Sequence, residues 1–328
     1  MVKKSFLLIA TIALLSFAGL AYAAYLDGPN GYAVQDIVFQ IQPGEYVAGF
    51  DRLPDGNFVA FSGSRIVKVT SDGNVSTLYT FNSPVYGSFV KVRGEAIYFG
   101  ESSNGTIWQM GLDGSNPQLI GTLQNNFDLE FNSLGQAFVS ANPGWAGQKV
   151  FLFDGTADEI VIGLSGYSGP LAFDGSDNLL YATAWARGGD SILLFSAADV
   201  ASAIGPTSLT QADGQVLASS IGSPYDMELD VLGNIFFTSG GTLYKLANGS
   251  GVATGFASVH NPCHYLTTLR YSALDNSLSV LIGGDTVGVI STLTPVPEPG
   301  SLLSLSAMLA GAATMFRRRL CNGIRRRS

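Results

Sequence analysis

From Ala24 to about Leu293 apolar and polar residues alternate in short runs, the period of a strand with one buried face. Asp-Gly and Asn-Gly pairs interrupt the runs at Asp55-Gly56, Asp72-Gly73, Asn104-Gly105, Asp113-Gly114, Asp154-Gly155, Asp174-Gly175, Asp213-Gly214 and Asn248-Gly249. Such pairs supply the positive φ that tight hairpin turns need. No long amphipathic helix is visible. The nearest stretch is Ser196 to Ile204, with Ser196 or Asp199 as its cap.

The runs repeat. Aligning the turn before the second strand of each unit gives the anchors Asn57, Glu95, Gln136, Asn178, Asn234 and Asn276, spaced 38, 41, 42, 56 and 42 residues apart. A period near 42 over six units predicts an all-β, six-bladed β-propeller, with the long interval an insertion holding the short helix. A third strand follows in each unit, as in Arg65-Ile-Val-Lys-Val69 and Thr242-Leu-Tyr-Lys-Leu246, but the last unit lacks a fourth. Tyr32 to Ile41 is the strand expected to fill that place and close the ring, which removes exposed sheet edges.

The two ends break the pattern. Residues 1–23 combine Lys3 and Lys4, the apolar run Phe6 to Leu15 and Ala21-Tyr22-Ala23, the three parts of a signal peptide cleaved after Ala23. Residues 294–328 contain Pro297-Glu298-Pro299, a mainly apolar stretch over 300–316 that predicts a transmembrane helix, and the basic runs Arg317-Arg318-Arg319 and Arg325-Arg326-Arg327. Arginines at that end hold it on the cytoplasmic side of a membrane. The Pro-Glu-Pro, helix and arginine order resembles the PEP-CTERM sorting signal recognised by exosortases in Gram-negative bacteria. That resemblance implies signal peptidase and exosortase as processing partners, transient attachment to the inner membrane through the helix, and delivery to the cell surface or extracellular matrix.

Charge is divided just as unevenly. The whole chain carries a net −8, but removing the eight Lys and Arg of the two ends leaves nine Lys and Arg against 24 Asp and Glu between Ala24 and Leu293, a net −15. Such a domain has no basic patch for nucleic acid or an anionic membrane surface, while surface polysaccharide remains a candidate partner.

The propeller units resemble the broad NHL and gluconolactonase-like group. The best match is Ser223-Pro-Tyr-Asp-Met-Glu-Leu-Asp230 with Gly233-Asn-Ile-Phe-Phe237, followed by Asn126-Phe-Asp-Leu-Glu-Phe131 with Gly135-Gln-Ala-Phe-Val139. Lactonases of this kind imply a channel metal held by one Glu and several Asn and Asp. Asp226 and Asp128 suit that pattern, but Phe50-Asp51-Arg52 stands where the Glu is expected, and Val85-Tyr86-Gly87 and Gly169-Pro170-Leu171 lack acids and amides.

Within the residues themselves, Asp128 and Asp226 occupy equivalent positions with Glu130 and Glu228 two residues on. Residues two apart in a strand share a face, so these carboxylates form a candidate site for Ca²⁺ or another divalent cation; the same groups also serve as backbone-bonding and solvated channel residues. His260, Cys263 and His264 match no zinc spacing. Cys263, the one thiol left once Cys321 departs with the tail, is expected to be buried in an oxidising exterior. Trp108 sits in a third strand and reads as core. Trp145 and Trp185 lie on Gly-rich loops, where aromatics also serve as sugar platforms. Hydrolase and phosphate-loop signatures are missing.

Together these features favour a non-enzymatic surface or matrix binding module needing no cofactor. The alternative is a secreted, metal-dependent lactonase or related hydrolase in the channel.

Overall fold

The computed structural model describes residues 24–296, apart from 206 and 285. The expected signal peptide, Pro297-Glu298-Pro299, the 300–316 helix and Arg317 to Arg319 lie outside the described residues. Among the described residues no helix is long and apolar enough to cross a membrane.

Six sheets, antiparallel apart from one added edge strand, form the blades, and their innermost strands are Val47–Arg52, Gly87–Arg93, Asn126–Phe131, Leu171–Phe173, Asp226–Leu229 and Tyr265–Ser272. Each innermost strand contacts the next, and the sixth contacts the first, so they line one channel. The ring closes as expected. Tyr32–Gln40 pairs in unbroken register with Val287–Pro295, from Tyr32 opposite Pro295 to Gln40 opposite Val287, and forms the outer strand of the sixth blade. That blade extends to Pro295, two residues past the expected boundary. A short strand before it, Leu26–Asp27, joins the edge of the fifth blade.

Burial follows the alternation. Each hydrophobic cluster lies between two neighbouring blades, because both faces of a blade are covered by the next. Ile37 and Phe39 of the closing strand thus pack with Phe50, Phe58 and Val67 of the first blade. Phe39 lies so close to Gly288 that a Cβ there would come within 2.2 Å of its ring. Among the described residues, residues 24–296 hold all six blades, the closing strand and the hydrophobic clusters between neighbouring blades, a ring closed on itself.

Three anchors of the repeat, Gln136, Asn178 and Asn234, turn out to be turn staples. Asp230 accepts from the Asn234 backbone N–H at 2.9 Å and from its Nδ2 at 2.7 Å, and Asp174 holds Asn178 in the same way at 2.9 and 2.8 Å. This is the local side-chain-to-backbone bonding that fixes a tight turn. The long fourth interval contains the helix Ala197–Ala203, capped by Ser196 Oγ on the Asp199 N–H, and Leu209–Thr210, which pairs parallel with the third blade.

Candidate functional site

Antiparallel order gives the ring two distinct faces. The starts of the innermost strands and the loops between second and third strands share one face, the channel mouth. The turns after the innermost strands share the other, where Val287–Pro295 also ends.

Below the mouth the channel holds seven charged side chains. Register confirms the expected equivalence: Asp128 and Asp226 pair with Ser140 and Thr238, and Glu130 and Glu228 with Phe138 and Phe236. The sequence reading overlooked their partners. Lys91, from the second blade, pairs with Glu130 and lies 3.9 Å from Asp128. Arg270, from the sixth, reaches Asp226 at 2.7 Å, Glu228 at 3.2 Å and Asp51 of the first blade at 3.6 Å. Lys91 is thus shared by two carboxylates of the third blade, and Arg270 by carboxylates of the fifth and first blades on either side of its own. A lone basic residue amid apolar neighbours, as in Phe89-Val90-Lys91-Val92 and Leu269-Arg270, is the signal that marks such a partner.

Three of the acids also fasten blades through the backbone. Asp51 accepts from Val92 N–H at 2.6 Å, Asp128 from Leu171 N–H at 2.9 Å and Asp226 from Leu269 N–H at 2.9 Å. Blades one, three and five therefore each grip the next. Burial pushes the Asp128 carboxyl up to about 7 against the pull of Lys91, and pushes Glu228 up to about 8 against Lys91 and Arg270. Burial also raises Asp51. Burial works against the charged forms of Lys91 and Arg270, but the surrounding carboxylates outweigh it and keep both cationic.

For a divalent cation to use Asp128, Glu130, Asp226 and Glu228, it would have to displace Lys91 and Arg270 from them. Among the described residues no group of three or more His, Cys, Asp or Glu is placed to hold a metal ion.

The His260 loop differs from expectation. Cys263 is exposed rather than buried, because its loop lies at the rim beside the first described residues. His260 faces Asp27 at 3.4 Å, while His264 stacks on Tyr25 with its Nδ1 buried and unbonded. Trp108 packs against Phe99 as core.

The mouth carries the feature the sequence reading missed. Every blade brings an aromatic residue to the start of its innermost strand or to the loop leading into it: Tyr46, Tyr86, Phe127, Tyr167 (four residues ahead of Leu171), Tyr225 and Tyr265. Their spacings, 40, 41, 40, 58 and 40, follow the blade period and would have exposed them. Tyr86, Tyr167, Tyr225 and Tyr265 are 69%, 53%, 39% and 38% exposed. Tyr46 stacks on Tyr86 with ring centroids 5.8 Å apart. Between Tyr46, Phe127, Tyr225 and Tyr265 opens a cavity of about 310 Å³ with Ser88, Asn126 and Thr268 in its wall.

Trp145 and Trp185 stand on the same face, 69% and 44% exposed. Both have left-handed backbones, at φ 58° and 57°, which bulky side chains rarely adopt. Their loops are built to hold this strain. Asp190, itself buried, accepts from the N–H groups of Trp185 at 3.2 Å and Ala186 at 2.7 Å and from Ser223 Oγ at 2.9 Å. Trp185 then meets Tyr225 edge to face at 5.5 Å. Asn142 similarly accepts from Gly147 N–H at 3.1 Å across the Trp145 loop. Strained residues fixed this firmly gather where function needs them.

No protein-family model and no curated protein matches the chain. Solved structures do. A gluconolactonase from Xanthomonas campestris superposes with a TM-score of 0.63 at 16% identity, over 83% of this chain and 92% of its own. A luciferin-regenerating enzyme gives 0.59 at 12%, over 79% and 95%. A chain of a nidogen/laminin complex gives 0.53 at 13%, over 68% and 93%. At such identities the likeness concerns the fold, and the same fold carries enzymes and binding proteins alike. The chain is a six-bladed β-propeller that resembles the gluconolactonase-like group in architecture.

Proposed function

We propose that this chain is an exported, non-enzymatic binding module of the cell surface or extracellular matrix, with its ligand seated over the channel mouth and surface polysaccharide as its partner. The observation that carries this reading is the aromatic residue at or just ahead of the start of each innermost strand, joined by two strained, fastened tryptophans on the same face. Preformed rings cost little entropy to bury and give a ligand apolar area in a fixed arrangement.

The face on which the last described strand ends supports it. Val287–Pro295 ends on the face opposite the mouth, and the Val296 N–H bonds to Gly31 O there at 2.8 Å. A chain held by residues 300–316 in a membrane, before exosortase processing, presents its mouth away from the bilayer. Fractionation of the producing cell tests the export: the account expects the chain at the surface or in the matrix, trimmed near Ala23 and near Pro297 to Pro299. Full-length chain confined to the cytoplasm overturns it.

A further inference from the structure

We infer that the mouth binds a saccharide through hydroxyl groups that the ligand donates, and that it rejects saccharides bearing carboxylate or sulfate. The inference rests on the binding reading above and adds the ligand's chemistry.

Hydrogen-bond direction decides the point. Thr268 Oγ1 donates inward to Ala48 O at 2.7 Å and Thr267 Oγ1 to Leu281 O at 3.3 Å, while Ser88 Oγ is spent on Asn126 Oδ1. Both protons of Asn126 Nδ2 are engaged as well, by Glu101 O at 2.9 Å and Leu123 O at 3.1 Å. A hydroxyl whose proton is committed still has lone pairs to offer. Tyr46 and Ser102 likewise donate away, to Val85 O and Tyr86 O, both at 3.3 Å. Apart from the phenol hydroxyls at the rim, the polar side chains of this wall therefore present acceptors, and a ligand must supply most of the donors.

Charge excludes the anions. No side chain lining the cavity carries a formal charge. The neighbouring Glu45 is held by Arg65 and Ser62, and the buried Glu101 is occupied by Asn104 and Thr106. Deeper in the channel the two cations are already committed to carboxylates, and the domain as a whole carries a formal net −15. A uronate or sulfate would find no cation and, besides phenol hydroxyls, no side-chain donor there, and would meet the field of an acidic domain.

A sugar ring meets both demands, laying an apolar C–H face on an aromatic ring while its hydroxyls donate at the edge. At about 310 Å³ the cavity is at the small end of ligand sites, suited to one or two rings, with Trp145 and Trp185 available to further rings outside.

The test is calorimetric titration of residues 24–296 with cellohexaose, maltohexaose and mannohexaose, set against an oligoguluronate of equal length with and without Ca²⁺, and against tetramethylammonium. The inference expects at least one neutral hexaose to bind and the oligoguluronate to fail in both conditions. Tyr225→Ala and Tyr265→Ala should each weaken the neutral ligand about tenfold, the loss of one aromatic contact near 1.4 kcal/mol. Thermal unfolding of both variants checks that they fold. Binding of the oligoguluronate as tightly as the neutral sugars, binding of tetramethylammonium alone, or no binding of any hexaose would overturn the inference. Surface recovery in the fractionation would be unaffected, so its failure stays separate from failure of the export reading.

Discussion

Asp226 and Arg270 form a buried ion pair of 2.7 Å across the boundary between the fifth and sixth blades, and the same carboxylate accepts the Leu269 N–H. One aspartate therefore fastens two blades through a side chain and through the backbone. Removing one partner of such a pair leaves an uncompensated buried charge at a cost of about 3–5 kcal/mol. Arg270→Met should lose that much in urea unfolding, and adding Asp226→Leu should restore part of it. A single variant as stable as the parent would show that the pair does not hold the ring together.

The channel also sets a pH dependence. Asp128 and Glu228 have carboxyls raised to about 7 and about 8 in the folded chain, so the folded state binds their protons more tightly than the unfolded one. Their contribution favours folding in mild acid and is lost as the pH rises through those values. Acids lowered by local bonds, such as Asp55 and Asp275 at about 2, act the other way, but that effect is complete below about pH 4. The melting temperature should therefore fall between about pH 5 and 8.5, by roughly 2–4 °C for each kcal/mol. Glu228→Gln should flatten the profile. A melting temperature that rises across this window contradicts the assignment.

Divalent cations give a third test. Lys91 and Arg270 already compensate Asp128, Glu130, Asp226 and Glu228, so saturating Ca²⁺ or Zn²⁺ should leave the melting temperature of the parent unchanged. Lys91→Met frees two carboxylates, and that variant should gain a Ca²⁺-dependent shift. A shift of several degrees in the parent, accompanied by lactone turnover, would instead support a metal-dependent hydrolase.

Ring closure depends on the strand Tyr32–Gln40. Phe39→Ala removes a buried ring from the cluster between the sixth and first blades and should cost about 3–5 kcal/mol. Deleting residues 24–40 should cause aggregation, since it uncovers the edge of Val287–Pro295. A soluble, cooperatively unfolding truncation would refute this role.

Much of this architecture is legible in the amino-acid order because turn chemistry is local. Asp230 and Asn234 lie in one turn and staple each other, so the anchor repeats wherever the turn does. The closing strand is legible by subtraction, as the sixth unit lacks a fourth strand. Partnerships within the channel are not. Lys91 and Glu130 are 39 residues apart, and Arg270 and Asp51 are joined only because the ring closes, so equivalent acids read as a cation site until the basic residues are placed beside them. Cys263 looked destined for burial because its loop's place at the rim depends on the N-terminal segment packing beside it. The aromatic mouth was readable, since Tyr46, Tyr86, Phe127, Tyr167, Tyr225 and Tyr265 keep the blade period, but their shared face emerges only from strand direction.

The central claim is that the mouth is the binding face. Its most direct measurement is co-sedimentation of residues 24–296 with matrix polymer isolated from the producing cell, beside a Tyr265→Ala/Trp185→Ala double variant and an opposite-face Leu274→Ser control. The account predicts that the parent and Leu274→Ser pellet with the polymer while the double variant, folded by thermal unfolding, stays in solution. Equal pelleting of all three, or of none, would contradict it.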